Sequence, residues 1–229
     1  ACKSEKQPKI DRQALVQRNN PVIGKFDELS SLSVGNGNFA FTVDATGLQT
    51  FPEIYSNGVP LGTQSQSGWH SFPNPNNYRF EETLKNYNFR GKEEPYAVQF
   101  NEAGRQQEAA DWYRANPHRL HLGYVGLELT NEDGTLVSKD EITNIHQELK
   151  LWDGTLFSSF TVHSDSVSVK TACHPTINEV AAVIKSALIG RNQLKIRFRF
   201  PYPTGGHTDD ASNWSVPEKH KTQMVASDE

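Results

Sequence analysis

The chain has 229 residues, 35% of them hydrophobic and 22% charged, with a formal net charge of −4. That length suits one sizeable domain, and interspersed charges of both signs exclude the basic footprint of a nucleic-acid binder. No run approaches the roughly 18 apolar residues of a membrane-spanning helix, and two cysteines in unlike contexts exclude a disulfide framework.

The opening "ACKSEKQPK" puts Cys2 behind a small residue and ahead of a polar, charged, Pro-containing stretch. A mature bacterial lipoprotein starts this way, which predicts a lipid anchor on Cys2, a tether and lead-in over residues 1–20 and a folded body over 21–229. An arbitrary chain start is the alternative. Lys3 and Ser4 stand where inner-membrane retention calls for Asp, which favours the outer membrane of a Gram-negative envelope. "IDRQALVQRNNP" fits a short helix or an extended edge segment, ended either way by Asn19, Asn20 and Pro21.

In "SVGNGNFAFTVDATGLQTF", Gly35, Gly37 and Ala40 spell G-x-G-x-x-A. A dinucleotide-binding turn needs a helix straight after the glycines. Here Phe39, Phe41, Val43 and Ala45 alternate with polar or small residues, so a strand follows. Asn36-Gly37 tolerates the positive φ of a tight turn, and the stretch from Gly35 to Asn38 is predicted to be a β-hairpin turn.

Pro52 to Phe89 reads as loops. "GRQQEAADWYRA" is the one clear helix, with Ala109, Trp112 and Tyr113 on one face and Pro117 beyond its end. Strands follow over "HRLHLGYVGLEL", "IHQELKLW", "LFSSFTVH", "SVSVKTACH" and "EVAAVIKSAL", with turns at "NEDG" and Asp153-Gly154. In "QLKIRFRFPY", Leu194, Ile196, Phe198 and Phe200 are expected to face inward and Lys195, Arg197 and Arg199 to face solvent. The pattern predicts an all-β fold, a two-sheet antiparallel β-sandwich with one or two short helices.

Candidate chemistry is sparse. Glycosidases place two carboxylates across a sugar ring, but Glu81-Glu82, Glu93-Glu94 and Asp209-Asp210 are adjacent doublets whose side chains diverge on an extended chain. His118 and His121 form H-x-x-H, a spacing that splits them across a sheet. His207, Asp209 and Asp210 share a loop without further ligands nearby in sequence, so no metal site is expected. Cys173 reads as a small buried hydrophobe, and Asn213-Trp214-Ser215 is a sequon idle in a bacterium. The loop after Gly68 differs. Trp69, His70, Phe72, Asn74 and Tyr78 combine flat apolar faces with groups that read hydroxyls, the materials of a sugar site. The alternative is that its aromatics only pin the loop to the sandwich.

The order "LSVGNGNFAFTVDATGLQTF", then "HQELKLWDGTLFSSFTV" and "LKIRFRFPYP" resembles the N-terminal, galactose-mutarotase-like β-sandwich of bacterial six-hairpin (α/α)-barrel glycoside hydrolases and disaccharide phosphorylases. Maltose and kojibiose phosphorylases and related α-fucosidases carry a similar "GNG" hairpin and a similar Q-L-D-x-x-x-G step, here Gln147, Leu149, Trp152, Asp153 and Gly154. The resemblance implies a glycoside or oligosaccharide substrate and a catalytic helical barrel downstream. In those families the barrel supplies the acid and base, so no catalytic residue and no cofactor are expected in this chain. A self-sufficient carbohydrate-binding module or a mutarotase-like epimerase stays open as the alternative.

Overall fold

Apolar–polar alternation broken by Gly, Asn and Asp turns produces a chain made mostly of antiparallel strands, shown by a computed structural model that describes residues 10–204 and 211–223. Cys2, His207, Asp209 and Asp210 lie outside the described residues. In chain order the elements are α1 (Arg12–Gln17), β1 (Val22–Ile23), β2 (Leu32–Gly35), β3 (Phe39–Val43), β4 (Gly62–Ser65) and β5 (Trp69–His70). Then come β6 (Leu84–Phe89), β7 (Lys92–Ala97), α2 (Arg105–Ala115), β8 (His118–Arg119), β9 (Tyr124–Leu129) and β10 (Ile142–Lys150). The last are β11 (Thr155–Val162), β12 (Asp165–Cys173), β13 (Val180–Lys185) and β14 (Leu194–Arg199). The fold is all-β and sandwich-like, with two helices among the described residues.

The chain divides into two compact units. The first comprises the described residues up to Thr63 together with Tyr124–Arg199; the second comprises Gln64–Gly123 and the described residues from Phe200 onward. The first unit holds a five-stranded sheet in the order β1-β10-β11-β12-β13, a β14-β9 pair, and most of a three-stranded β2-β3-β4 sheet. Phe41, Val43, Leu156, Phe160, Val162, Val167 and Val169 fill its core. Each such burial contributes about 1.5–3 kcal/mol.

The Gly35–Asn38 hairpin forms as the sequence predicts. Gly35 pairs with Ala40, Gly37 has φ +89°, and Asn36 Oδ1 accepts the Asn38 and Phe39 amides at 3.0 and 2.9 Å. The segment after β3 is a loop buried throughout, from Asp44 to Phe51. A buried loop must have its main-chain polar groups satisfied. Asp44 accepts the amides of Thr46, Thr50 and Phe51 at 2.7–2.8 Å, and the Thr46 hydroxyl. Gln147 Nε2 in β10 donates to the Asp44 carbonyl at 2.7 Å, and the Thr171 hydroxyl in β12 donates to the Gly47 carbonyl at 2.7 Å. Gly47 has φ +86° and a Cβ there would lie 2.8 Å from Ser158 Oγ, so both conformation and space demand glycine.

Several expectations need correction. On β14, Leu194 is buried, but Ile196 and Phe198 are 42% and 60% exposed while Arg197 and Arg199 are half-buried. Alternation says that two faces differ, not which one is covered. Arg199 lies over the Tyr124 ring at 5.1 Å, so its face of the β9–β14 pair carries the packing. The stretch taken as loop, Pro52 to Phe89, contains β4, β5 and β6, and β6 pairs with β7 beyond it in a hairpin turned by Arg90 and Gly91 at φ +54° and +83°. Most of both faces of that hairpin are exposed, so apolar alternation does not mark it. "HRLHLGYVGLEL" splits into β8 and β9 rather than forming one strand. Cys173 is half-buried, not fully so. The lead-in is helical over α1, and Asn20 bonds Glu148 at 2.9 Å and the Leu151 amide at 3.1 Å.

Candidate functional site

The second unit positions the loop after Gly68 through two anchors. At one end β5 pairs with β8, setting Trp69 opposite Arg119 and His70 opposite His118. At the other end the loop is fastened to α2, whose Ala109 and Ala110 are buried. Trp112 Nε1 donates to the Pro73 carbonyl at 3.1 Å, and the Tyr113 hydroxyl to the Tyr78 carbonyl at 3.2 Å.

This construction separates the five expected sugar-site residues. Asn74 caps its own turn, donating to the Tyr78 carbonyl at 3.0 Å and accepting the Tyr78 amide at 2.9 Å. Tyr78 is buried, with its hydroxyl donating to Glu108 at 2.9 Å and accepting from Asn76 at 2.7 Å. Both side chains serve the loop's own architecture. Neighbouring strand residues point to opposite faces, and Trp69 and His70 do so here. The Trp69 side chain is 48% exposed, donates through Nε1 to the Gln66 carbonyl and stacks under the Arg119 guanidinium at 4.8 Å. His70 turns the other way. Its ring meets Phe72 edge-on at 4.7 Å, and Phe72 stacks on His118 at 5.5 Å.

On the His70 side lies a cavity of about 380 Å³, lined by His70, Leu120, His121, Leu122, Phe200, Pro201, Tyr202, Pro203 and His220. That volume falls in the range that takes small ligands. His121 is buried, accepts the Gly123 amide at 3.1 Å through Nδ1 and packs edge-on against Trp214 at 5.5 Å. Tyr202 is held by paired main-chain bonds to Asn213, at 3.0 and 2.7 Å. Burial and the neighbouring His118 hold the His70 imidazole below its ordinary pKa. The cavity offers the His70 imidazole beside a phenol and apolar walls. Its lining includes no carboxylate. Among the described residues the one buried carboxylate is Asp44 of the first unit, which is fully engaged within its loop.

Sequence reasoning found His70, weighed His121 only as half of H-x-x-H and Phe200 only as a strand residue, and missed Tyr202 and His220. They come from distant stretches with no common spacing, and no local motif announces them. No family model and no curated protein matches the chain.

Proposed function

We propose that this chain is the non-catalytic N-terminal β-sandwich part of a bacterial envelope carbohydrate-active enzyme, a glycoside hydrolase or phosphorylase, and that it contacts the glycan through the His70 cavity. The observation that carries the reading is the convergence of three imidazoles and the Tyr202 phenol on a cavity walled by Phe200 and prolines. Sugars are read in this way, with hydroxyls bonded to groups that both donate and accept and ring C–H faces laid on apolar surface. The exposed Trp69 indole offers a further stacking surface on the opposite side of β5. The order of hairpin and strand motifs supports a following (α/α) barrel as the source of the catalytic acid and base. In the whole enzyme, the sandwich packs on that barrel and lends this rim to the substrate. Cys2 supplies the lipid anchor, which fatty-acid labelling lost in Cys2→Ser would demonstrate.

Calorimetric titration of the chain with α-linked gluco-oligosaccharides and α-fucosides tests the reading. Binding by at least one of them, weakened about tenfold or more (about 1.4 kcal/mol) in Tyr202→Ala, is the expected result. Binding that survives Tyr202→Ala unchanged removes the cavity from the proposal. Turnover of an aryl glycoside by the pure chain, abolished by one Asp or Glu substitution, removes the non-catalytic assignment.

A further inference from the structure

Two imidazoles lie side by side across the β5–β8 ladder, meeting edge-on. His70 and His118 are direct partners in register, and their ring centres are 5.1 Å apart. His118 is only 6% exposed. Its Nδ1 lies 2.9 Å from the Ala115 carbonyl, which can only accept, so Nδ1 carries the proton and Nε2 presents a lone pair. That Nε2 is buried without a hydrogen-bond partner in the protein, and so is His70 Nδ1. Buried polar atoms are rarely left this way. Two on neighbouring rings point to a species that both would touch.

We propose that His70 and His118 form a two-histidine chelate for a divalent transition-metal ion, bound through His70 Nδ1 and His118 Nε2, with Zn²⁺ as the reference ion. Two imidazoles on one tetrahedral ion, with metal–nitrogen bonds of about 2.0–2.1 Å, have ring centres roughly 5 Å apart, the separation seen here. The Ala115 carbonyl plays the part of the outer acceptor that fixes tautomer and ring orientation in metal-ligating histidines. Phe72 stacks on one ring and abuts the other, holding the pair from the side. Imidazole donors select Zn²⁺, Cu²⁺ or Ni²⁺ over Mg²⁺ and Ca²⁺. Among the described residues no group of three or more His, Cys, Asp or Glu is placed to hold a metal. The site is thus a bis-imidazole built on His70 and His118. The inference stands independently of any glycan in the neighbouring cavity.

The test is titration of the chelator-free chain with ZnCl₂, followed by calorimetry and thermal melting, with MgCl₂ as the control salt. One equivalent of Zn²⁺ should bind and raise the melting temperature, while Mg²⁺ does neither. His70→Ala and His118→Gln should each weaken binding about tenfold or more, with circular dichroism checking their fold and exposed His163→Ala leaving binding unchanged. Cu²⁺ electron paramagnetic resonance gives a readout that needs no variant: two imidazole nitrogens coupled to copper in the wild-type spectrum. Absence of Zn²⁺ binding, equal binding by folded His70→Ala, or a spectrum with fewer than two nitrogens would overturn the proposal.

Discussion

Gln147 and Asp44 meet in the interior of the first unit, where the Gln147 amide donates to the Asp44 main-chain carbonyl at 2.7 Å and to Ser158 Oγ at 2.8 Å. Gln147 opens the Q-L-D-x-x-x-G step and Asp44 follows the "GNG" hairpin, so the two most distinctive motifs of the sequence touch in space. Each motif supplies what the other lacks. The loop brings main-chain groups into the core, and β10 brings a side chain to satisfy them.

Replacing Gln147 with Leu removes one of two donors to the Asp44 carbonyl, which keeps the Gly47 amide at 3.0 Å, and takes a partner from Ser158 Oγ. The expected cost is on the order of 1–3 kcal/mol in urea unfolding, since buried hydrogen bonds to the Asp44 carbonyl and Ser158 are lost. A loss well below about 1 kcal/mol would mean that the loop relaxes and that this bond does not fix it.

Asp44 also makes stability depend on pH. Burial raises its pKa from 3.8 to about 6, against hydrogen bonds from Thr46, Phe51 and Thr50 that pull it down. A carboxyl raised in the folded state keeps its proton where the unfolded chain has released it. Its contribution is therefore complete below pH 3.8 and is lost as pH rises toward 6. The loss amounts to about 3 kcal/mol at most. Glu82, Asp133 and Glu141 act in the opposite sense, held low chiefly by hydrogen bonds from Arg105, Thr135 and Ser138 respectively. The wild-type curve minus that of Asp44→Asn isolates the Asp44 contribution. That difference should fall between pH 4 and 6; a difference that rises there contradicts the assignment.

At Gly37 the strain is conformational alone, because φ is +89° and a Cβ would meet nothing within 4 Å. Gly37→Val should cost about 1–2 kcal/mol, and Gly37→Asn clearly less, because Asn tolerates the left-handed region. Equal losses for the two variants, measured by thermal unfolding, would point to a cause other than φ.

These positions also show what the sequence makes legible. Asn36-Gly37 and Asp153-Gly154 are turns whose chemistry is local, and the Val167–Val169–Thr171 face is buried as the apolar side of its alternation. The β14 faces were not legible in the same way, since Phe198 looks as inward as Leu194 until its partner strand is known. The β6–β7 hairpin carries Tyr87, Phe89 and Tyr96 on an exposed face and so lacks the contrast that marks a strand. The candidate site was legible only in part. Trp69 and His70 stood out as residue types, but strand pairing decides that they diverge. The cavity itself depends on contacts between stretches far apart in the chain.

The central claim is that the imidazole-lined cavity takes a sugar. The most direct test is to record the side-chain imidazole NMR signals of the chain while adding the oligosaccharide that binds best in calorimetry. The account predicts saturable shifts at His70, His121 and His220, with exposed His146 and His163 unmoved. Saturable binding that leaves all three cavity histidines unperturbed would contradict it.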